Sequence, residues 1–577
     1  MDKRWDLAHS SREAVAELAE NAKLPLVMAK ILVNRGIVDE KTAGLFLTPR
    51  LVDLQDPGLL PDIEKASERI RQAAMSNQKV VVYGDYDVDG TAGTALLVQF
   101  LKLLNMNVSY YVPHRIREGY GLNVNAIRQF TSDDVQLLIT VDCGINAVEE
   151  VRNARAAGID IIITDHHEPG TEVPDAFAVI DPKLPGSLYP FRHLSGVGVA
   201  FKLAWAIAQK LSPGAKVQPE FREFLMDALG LVALGTIADV VPLIGENRVL
   251  AKFGLEALRL SRSPGVRALI ESAGLDRQPL DSHHVSFRLA PRLNAAGRMA
   301  EASLCVELLT TDSTERARQI AARLDENNRE RQQIQYQVLQ SVRERIKTEI
   351  DLKKEMVVVL ADQFWHAGVL GIVASKIVDD YYRPTVLVAL DEGIGKGSGR
   401  SIPQFNLFDA LAECEGQLIS FGGHSQAAGI KIAYDNIISF RGALNAYAAE
   451  KLAFEDLVCS IDIDAQVEMN DMTVDVISAI DKLSPYGEGN RPPIFCAENV
   501  RLVGTPRIIG KDDRHLSFYV RQGNTSLRTV AMGMAGLYST IAKTQFCDIA
   551  FKAKVVERNG PPTVELDVVD IKLKGGA

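Results

Sequence analysis

The chain has 577 residues, 47% hydrophobic and 24% charged, with a formal net charge of −10. Its length excludes a single core, so several domains are expected. The composition is that of an ordinary globular protein. The negative balance excludes nucleic-acid recognition by global charge, so such a partner would have to meet local Arg/Lys clusters.

Residues 1–50 read as a small helical segment; L-A-E-N-A-K-L-P-L-V-M-A-K-I-L-V-N-R-G stops on Gly36. From residue 79 apolar strands alternate with helices: strand 79–84, helix 91–105, strand 134–144, helix 147–158, strand 159–167 and strand 177–183. That alternation predicts a parallel sheet covered on both faces. The apolar stretch 228–245 approaches membrane-span length, but Asp239 and Pro242 interrupt it, so it is read as a buried helix carrying an acid. In 312–350, Ile334, Val338, Val342, Ile346 and Ile350 recur every four positions. One long helix bridging two domains and two shorter helices broken near Asn327-Asn328 fit this pattern equally. A second α/β pattern follows: strand 355–361, helix 368–382 ended by Arg383-Pro384, and strand 385–390. After about residue 460 short alternating runs with turn signals predict a small β-barrel.

Cys143, Cys305, Cys414, Cys459, Cys496 and Cys547 are scattered singly, without C-x-x-C. This argues for a reducing compartment and against a disulfide framework or structural zinc. The N-terminus shows no signal-peptide apolar region, so a cytoplasmic location is expected.

The sharpest local feature is V-V-V-Y-G-D-Y-D-V-D-G, 80–90. Asp85, Asp87 and Asp89 repel one another and need a cation, protons or open water. A calcium loop is rejected, because its twelfth position is Leu96 rather than Glu and a strand rather than a helix precedes it. A dinucleotide site is rejected for lack of G-x-G-x-x-G. Asp142 closes the second strand and Asp165-His166-His167 the third, so a parallel sheet would deliver all of them to one crevice. Asp239 adds an acid within an apolar helix, where an unpaired carboxylate is costly. Carboxylates with imidazole suit Mn²⁺, with Mg²⁺ as competitor, and so many acids suit two ions. G-K-G-S-G-R-S (395–401) and F-G-G-H-S-Q-A-A-G (421–429) are Gly-rich turns, the first with a hydroxyl and an Arg fork suited to phosphate.

G-D-Y-D-V-D-G, T-V-D-C-G, T-D-H-H and A-L-G-T-I-A-D-V-V-P-L, in this order and spacing, resemble the four motifs of the DHH phosphoesterase superfamily. Farther on, P-R-L-N-A-A-G-R-M, W-H-A-G-V-L-G-I-V-A-S and the two Gly-rich turns resemble its bacterial single-strand exonucleases, more loosely in the tail. The resemblance implies an α/β protein. A parallel-sheet DHH domain (51–311), preceded by the 1–50 segment, is joined by a helix (312–350) to a DHHA1-like substrate-binding domain (351–455). An OB-like barrel (460–575) follows. It implies Asp87, Asp89, Asp142, His166 and Asp239 as metal ligands, with Asp142 bridging two ions and Asp85 in support. His167 would contact the scissile phosphate or assist proton transfer, and the catalytic set is His167, Asp142 and Asp89. Arg298, Ser398 and Arg400 would grip a terminal 5′-phosphate, with His424 on a phosphate near the metals. His366 either touches substrate or simply positions the helix after it. Phe518, Tyr519 and Arg521 are candidates for barrel contacts with a strand.

The expected activity is 5′→3′ hydrolysis of single-stranded DNA to 5′-mononucleotides, with Mn²⁺ or Mg²⁺, in repair and recombination. Expected partners are single-stranded DNA with a 5′ end, a single-strand-binding protein and a helicase; the chain is expected to be a monomer with no membrane. The alternatives are a DHH phosphodiesterase of short oligonucleotides or cyclic dinucleotides, and a non-catalytic scaffold. The second would have eroded acids, and here they are intact.

Overall fold

The strand Lys79–Gly84 leads directly to Asp85, and its neighbours decide where that acid lies. In the computed structural model, which describes residues 3–115, 117–214, 216–299, 301–557 and 560–574, five parallel strands form one sheet. Their order is Asn107–Tyr111, Lys79–Gly84, Leu137–Val141, Asp160–Thr164, Ala178–Ile180. Alternation sends Val80 and Val82 into one core and Val81 and Tyr83 into another, so both faces are covered. The helices Val88–Leu103 and Gly196–Leu211 pack on the first face, and Val124–Ser132 and Val148–Ala156 on the second. After Lys79–Gly84 the chain turns to one side to lay down Asn107–Tyr111, then returns to the other side for Leu137–Val141. The crevice at such a reversal is where open parallel sheets bind ligands.

The edge strand Asn107–Tyr111 was not anticipated, because it is only half-buried and lacks a continuous apolar run. The helix after the first strand begins at Val88 rather than near 91, which places Asp89 in its first turn. Asp239 lies at the C-terminal cap of Pro219–Ala238, not within the helix as expected. Val240 then takes a left-handed φ of 64° and Pro242 follows, so the helix cannot continue. Among the described residues no helix is long and apolar enough to cross a membrane.

Thr314–Glu349 is one continuous helix of 36 residues. Its first half adds Ala317, Ile320 and Leu324 to the core beneath the parallel sheet. Its second half packs Val338, Val342 and Ile346 against Val369, Val373 and Ile377 of the helix Ala367–Tyr381. The second sheet runs Leu418–Gly423, Ala427–Ala433, Ile394–Arg400, Thr385–Asp391, Val358–Asp362; only the last pair is parallel. The tail is a closed barrel of Phe495–Ile509, His515–Gln522, Thr525–Ala531, Thr563–Leu573 and Phe546–Val556, the last pairing back to the first. Thr525–Ala531 was missed in the sequence.

The N-terminal helices are not a separate segment. Val15, Leu18, Met28, Ile31 and Leu32 share one core with Phe495, Phe518 and Phe551 of the barrel. Arg4–Leu7 pairs in parallel with Ser460–Ile463. Helices of 10, 9 and 8 residues are too short to stand alone, and the barrel covers them. This terminal body meets the parallel-sheet domain at Arg248, which reaches five backbone carbonyls, and at Leu243, whose N–H donates to the Glu488 carbonyl at 2.8 Å.

Candidate active site

The acids converge because three strands and two helix ends meet at the reversal point. Asp87 caps Val88–Leu103, accepting from the Asp89 N–H at 2.9 Å and the Gly90 N–H at 3.1 Å. The helix start must lie on the strand end, and Gly90 permits it: a Cβ there would sit 2.6 Å from the Asp85 carbonyl oxygen. Asp89 accepts from the N–H groups of Gly196 at 2.6 Å and Val197 at 3.0 Å, at the start of a second helix. Asp142 has a left-handed φ of 61°, a conformation costing about 1–3 kcal/mol and held only where its surroundings demand it. Its carboxylate rests over Gly196, where a Cβ would come within 2.6 Å of Oδ1.

His166 Nε2 lies 3.0 Å from Asp142 Oδ1, 3.6 Å from Asp239 Oδ2 and 3.9 Å from Asp89 Oδ2. Burial, then the charge of His167, drives His166 down to about 3, so the ring is neutral. Its backbone partner is Leu194. The two atoms face one another at 3.0 Å, and neither has a hydrogen-bond partner. Burial, with Asp87 next, pushes Asp89 up to about 7. Burial, with Asp89 next, pushes Asp239 up to about 9. Asp85 and Asp142 are raised well above the carboxylate range, chiefly by burial and then by neighbouring acids. Such a group is unstable as bare anions and suited to divalent cations.

Three overlapping triplets have donor atoms within 4.8 Å of one another and could each hold a metal ion: Asp142/His166/His167, Asp89/His166/Asp239 and Asp85/Asp87/Asp142. Asp85 Oδ1, Asp142 Oδ1 and His166 Nε2 are buried without hydrogen-bond partners, as ligand atoms would be. The residues fit the ions. Asp85 stands in the same triplet as Asp87, not behind it.

Asp165 has a different place, which the sequence reading left without a role. It accepts from the N–H groups of Ile145 at 3.0 Å, His166 at 2.7 Å and His167 at 3.2 Å, and meets His167 Nδ1 at 2.7 Å. Burial would raise it, but the bond and charge of His167 outweigh that and hold it low. Burial would likewise lower His167, but Asp165 and the nearby acids raise it. The Tyr120 hydroxyl lies 3.2 Å from His167 Nδ1 and donates to the Asp142 carbonyl at 3.1 Å, another contact the sequence did not announce.

Across the seam between the α/β units, Arg298 donates to the Gly368 carbonyl at 3.0 Å. Arg400 donates to Ser398 Oγ at 3.2 Å and the Gly399 carbonyl at 2.7 Å. Arg115 lies over the Tyr86 ring at 4.9 Å, and Tyr86 feels Asp85 and Asp87 as well as Arg115 and Arg298. Acids and guanidiniums thus flank Tyr86. His366 caps the helix Ala367–Tyr381, accepting from the Gly368 N–H at 3.1 Å. His424 is exposed at the turn between Leu418–Gly423 and Ala427–Ala433, and among the described residues no hydrogen bond or ion pair joins it to the acids. Phe518 belongs to the barrel core, which removes it as a strand contact, whereas Tyr519 and Arg521 face outward.

Family models match in chain order: the DHH family N-terminal domain over 79–236, the DHHA1 domain over 353–450 and the RecJ OB domain over 463–570. The single-stranded-DNA-specific exonuclease RecJ of Bacillus subtilis is 38% identical over 570 residues, covering 98% of this chain and 70% of that protein. The crystal structure of RecJ from Thermus thermophilus in complex with Mn²⁺ superposes with a TM-score of 0.83 at 30% identity, covering 100% of this chain and 80% of that one. Its complex with Mg²⁺ gives 0.77 at 28% identity, covering 100% and 79%. The alignment to the Bacillus subtilis protein covers nearly the whole chain, all three matched segments included, so the chain belongs to the RecJ family of DHH proteins.

Proposed function

We propose that this chain removes nucleotides from the 5′ end of single-stranded DNA as 5′-mononucleotides, with two divalent cations, in repair and recombination. The observation that carries this reading is the meeting, around Tyr86, of an acid–imidazole cluster with guanidiniums that among the described residues have no carboxylate within ion-pair distance. The working units are residues 51–311 for chemistry and 351–455 for the strand end, joined by 312–350. The barrel, 460–575, with the segment 1–50 docked on it, serves the rest of the strand.

Asp87, Asp89, Asp142, His166 and Asp239 would hold the ions, with Asp142 common to both; Asp85 joins Asp87 and Asp142. When bound, paired cations supply a water of lowered pKa and relieve charge on the attacking and leaving oxygens. The remaining work falls to the chain. Burial would lower His167, but Asp165 and the nearby acids raise it, which favours its protonated form; with Nδ1 committed to Asp165, Nε2 is left for a phosphate oxygen or the leaving group. Arg298, Ser398 and Arg400 would hold the terminal phosphate, and His424 would reach a phosphate once the strand is seated. Tyr519 and Arg521 present a ring and a charge on the outer barrel face, as single-strand binding requires. A single-strand-binding protein and a helicase would supply such strands.

The test is one strand labelled at either end, incubated with Mn²⁺. The 5′ label is expected to leave first, as a mononucleotide. First release from the 3′ end, or activity confined to dinucleotides, would overturn the reading in favour of reverse polarity or of a small-substrate phosphodiesterase.

Asp165→Asn should lower kcat roughly 10- to 100-fold, the usual effect of removing a carboxylate that orients a functional histidine. Mn²⁺ binding measured by calorimetry should change less than kcat. An unchanged kcat would show that Asp165 does not position His167.

A further inference from the structure

Three neighbouring strands of the parallel sheet end in acids and imidazoles, and the edge strand beside them ends in a cation that the cluster leaves unused. Ala178–Ile180 runs alongside Asp160–Thr164, with Ile180 opposite Thr164. Beyond these partners come Asp165-His166-His167 on one strand and Asp181-Pro182-Lys183 on the other. The same sheet edge that delivers His166 and His167 to the crevice therefore delivers Lys183.

Lys183 is fixed at its backbone and loosely engaged at its tip. Its N–H donates to Asp181 Oδ1 at 2.7 Å, and its carbonyl accepts from Arg192 Nη2 at 2.8 Å. Its Nζ lies 3.3 Å from Glu168 Oε1, and the two side chains are 19% and 68% exposed, so solvent reaches the pair. Among the described residues no other carboxylate lies within ion-pair distance of this ammonium. Pairs open to water and salt add little to a fold. A phosphate oxygen can take the place of Glu168 there, since an ammonium accepts either anion as a partner.

The charge of Lys183 still reaches the cluster, on one flank of it. Lys183 acts on His166 and Asp239, whereas Arg115 acts on Asp85, and Arg115 and Arg298 act on Tyr86. His166 and Asp239 share one candidate triplet, and Asp85 stands in another. The acids thus have a guanidinium flank and an ammonium flank. A strand carries one negative charge at every linkage. With its terminal phosphate on the guanidinium flank and its first linkage over the acids, its second linkage comes to the ammonium flank.

We propose that Lys183 exchanges Glu168 for the second internucleotide phosphate of the strand, the first linkage left intact after a cut. Lys183 is a binding residue in this scheme, and only the choice of phosphate rests on the nuclease reading.

The test is fluorescence anisotropy of the full chain, without added divalent metal, on a 5′-phosphorylated single strand labelled at its 3′ end. One strand is all phosphodiester; two others carry an uncharged methylphosphonate at the second or the sixth linkage. Neutralising the second linkage should weaken wild-type binding ~10-fold, as for a lost charge-assisted hydrogen bond. Neutralising the sixth should weaken it less. Lys183→Met should bind the ordinary strand as weakly as the wild type binds the second-linkage strand, and should not distinguish those two strands. Lys183→Arg should recover most of the loss. Glu168→Gln removes the competing exposed acid, so it should tighten binding to the ordinary strand ~2- to 5-fold, the scale of an exposed ion pair, but not to the second-linkage strand. That exposed substitution decides the matter if Lys183→Met does not fold. Wild-type affinity in Lys183→Met, equal wild-type losses at the second and sixth linkages, or a Glu168→Gln protein that treats both strands alike would each overturn the contact. A wild-type chain that shows the expected binding pattern but cleaves no strand with Mn²⁺ would overturn the nuclease reading and leave the contact standing. Cleavage from the 5′ end without that pattern would overturn the contact alone.

Discussion

Asp142→Asn should lower kcat on a 5′-phosphorylated single strand by at least ~10³-fold, because several kcal/mol of charge stabilisation are at stake and each 1.36 kcal/mol is a factor of ten. Asp142 belongs to two of the three candidate metal triplets, and its Oδ1 is buried without a partner. Among the described residues no other carboxylate is shared in that way. Asparagine is the instructive replacement, since it tolerates the left-handed φ of 61° at this position better than alanine would. The same change removes one of several crowded acids. The metal-free protein should therefore become more stable, by about 0.5–2 kcal/mol, as when function is exchanged for stability at other sites. Turnover with Mn²⁺, together with urea melts of the metal-free variant, checks both halves. A turnover within tenfold of the original would remove Asp142 from the centre of the mechanism.

Arg248→Ala should destabilise the protein by about 3–5 kcal/mol, the upper range for a single substitution. Arg248 is 1% exposed. Its guanidinium donates to the carbonyls of Phe46 at 2.7 Å, Leu483 at 2.8 Å, Ser484 at 2.9 Å, Lys482 at 3.0 Å and Pro485 at 3.3 Å, and stacks 4.0 Å over the Phe46 ring. Burial drives the group down to about 10, still charged at neutral pH. Truncation leaves buried carbonyls without donors and opens a gap between the parallel-sheet domain and the terminal body. Urea unfolding should separate into two transitions as that joint weakens. Arg248→Lys should recover only a minority of the loss, because three ammonium hydrogens cannot reproduce a five-donor fork. A single transition with an unshifted midpoint would show that the joint lies elsewhere.

Much of the site was legible because its chemistry is written in short motifs at strand ends. Lys79–Gly84, Leu137–Val141 and Asp160–Thr164 are apolar runs buried on both faces, and each is followed by polar residues that can only be solvent-facing or functional. The elements that escaped were those with divided environments. Asn107–Tyr111 is a half-buried edge, and Thr525–Ala531 is a barrel strand whose early residues are largely open. The bridging helix could not be told from two helices, because Asn327 and Asn328 are poor helix formers; their burial in one continuous helix is a tertiary fact.

The sequence by itself determined the buried strands that carry the site, the acids and imidazoles at their ends, and the family that those motifs resemble. These follow from local periodicity and from residue types that few other sites would tolerate together. Only the tertiary structure decided which acids lie together in each candidate triplet. It set Asp85 beside Asp87 and Asp142, turned Asp165 toward His167, and moved Asp239 to a helix end. It also folded the N-terminal helices onto the barrel. The physical reason is common to all of these. They are contacts between residues far apart in the chain, fixed by how whole elements pack, and no local pattern encodes the distance between two such elements.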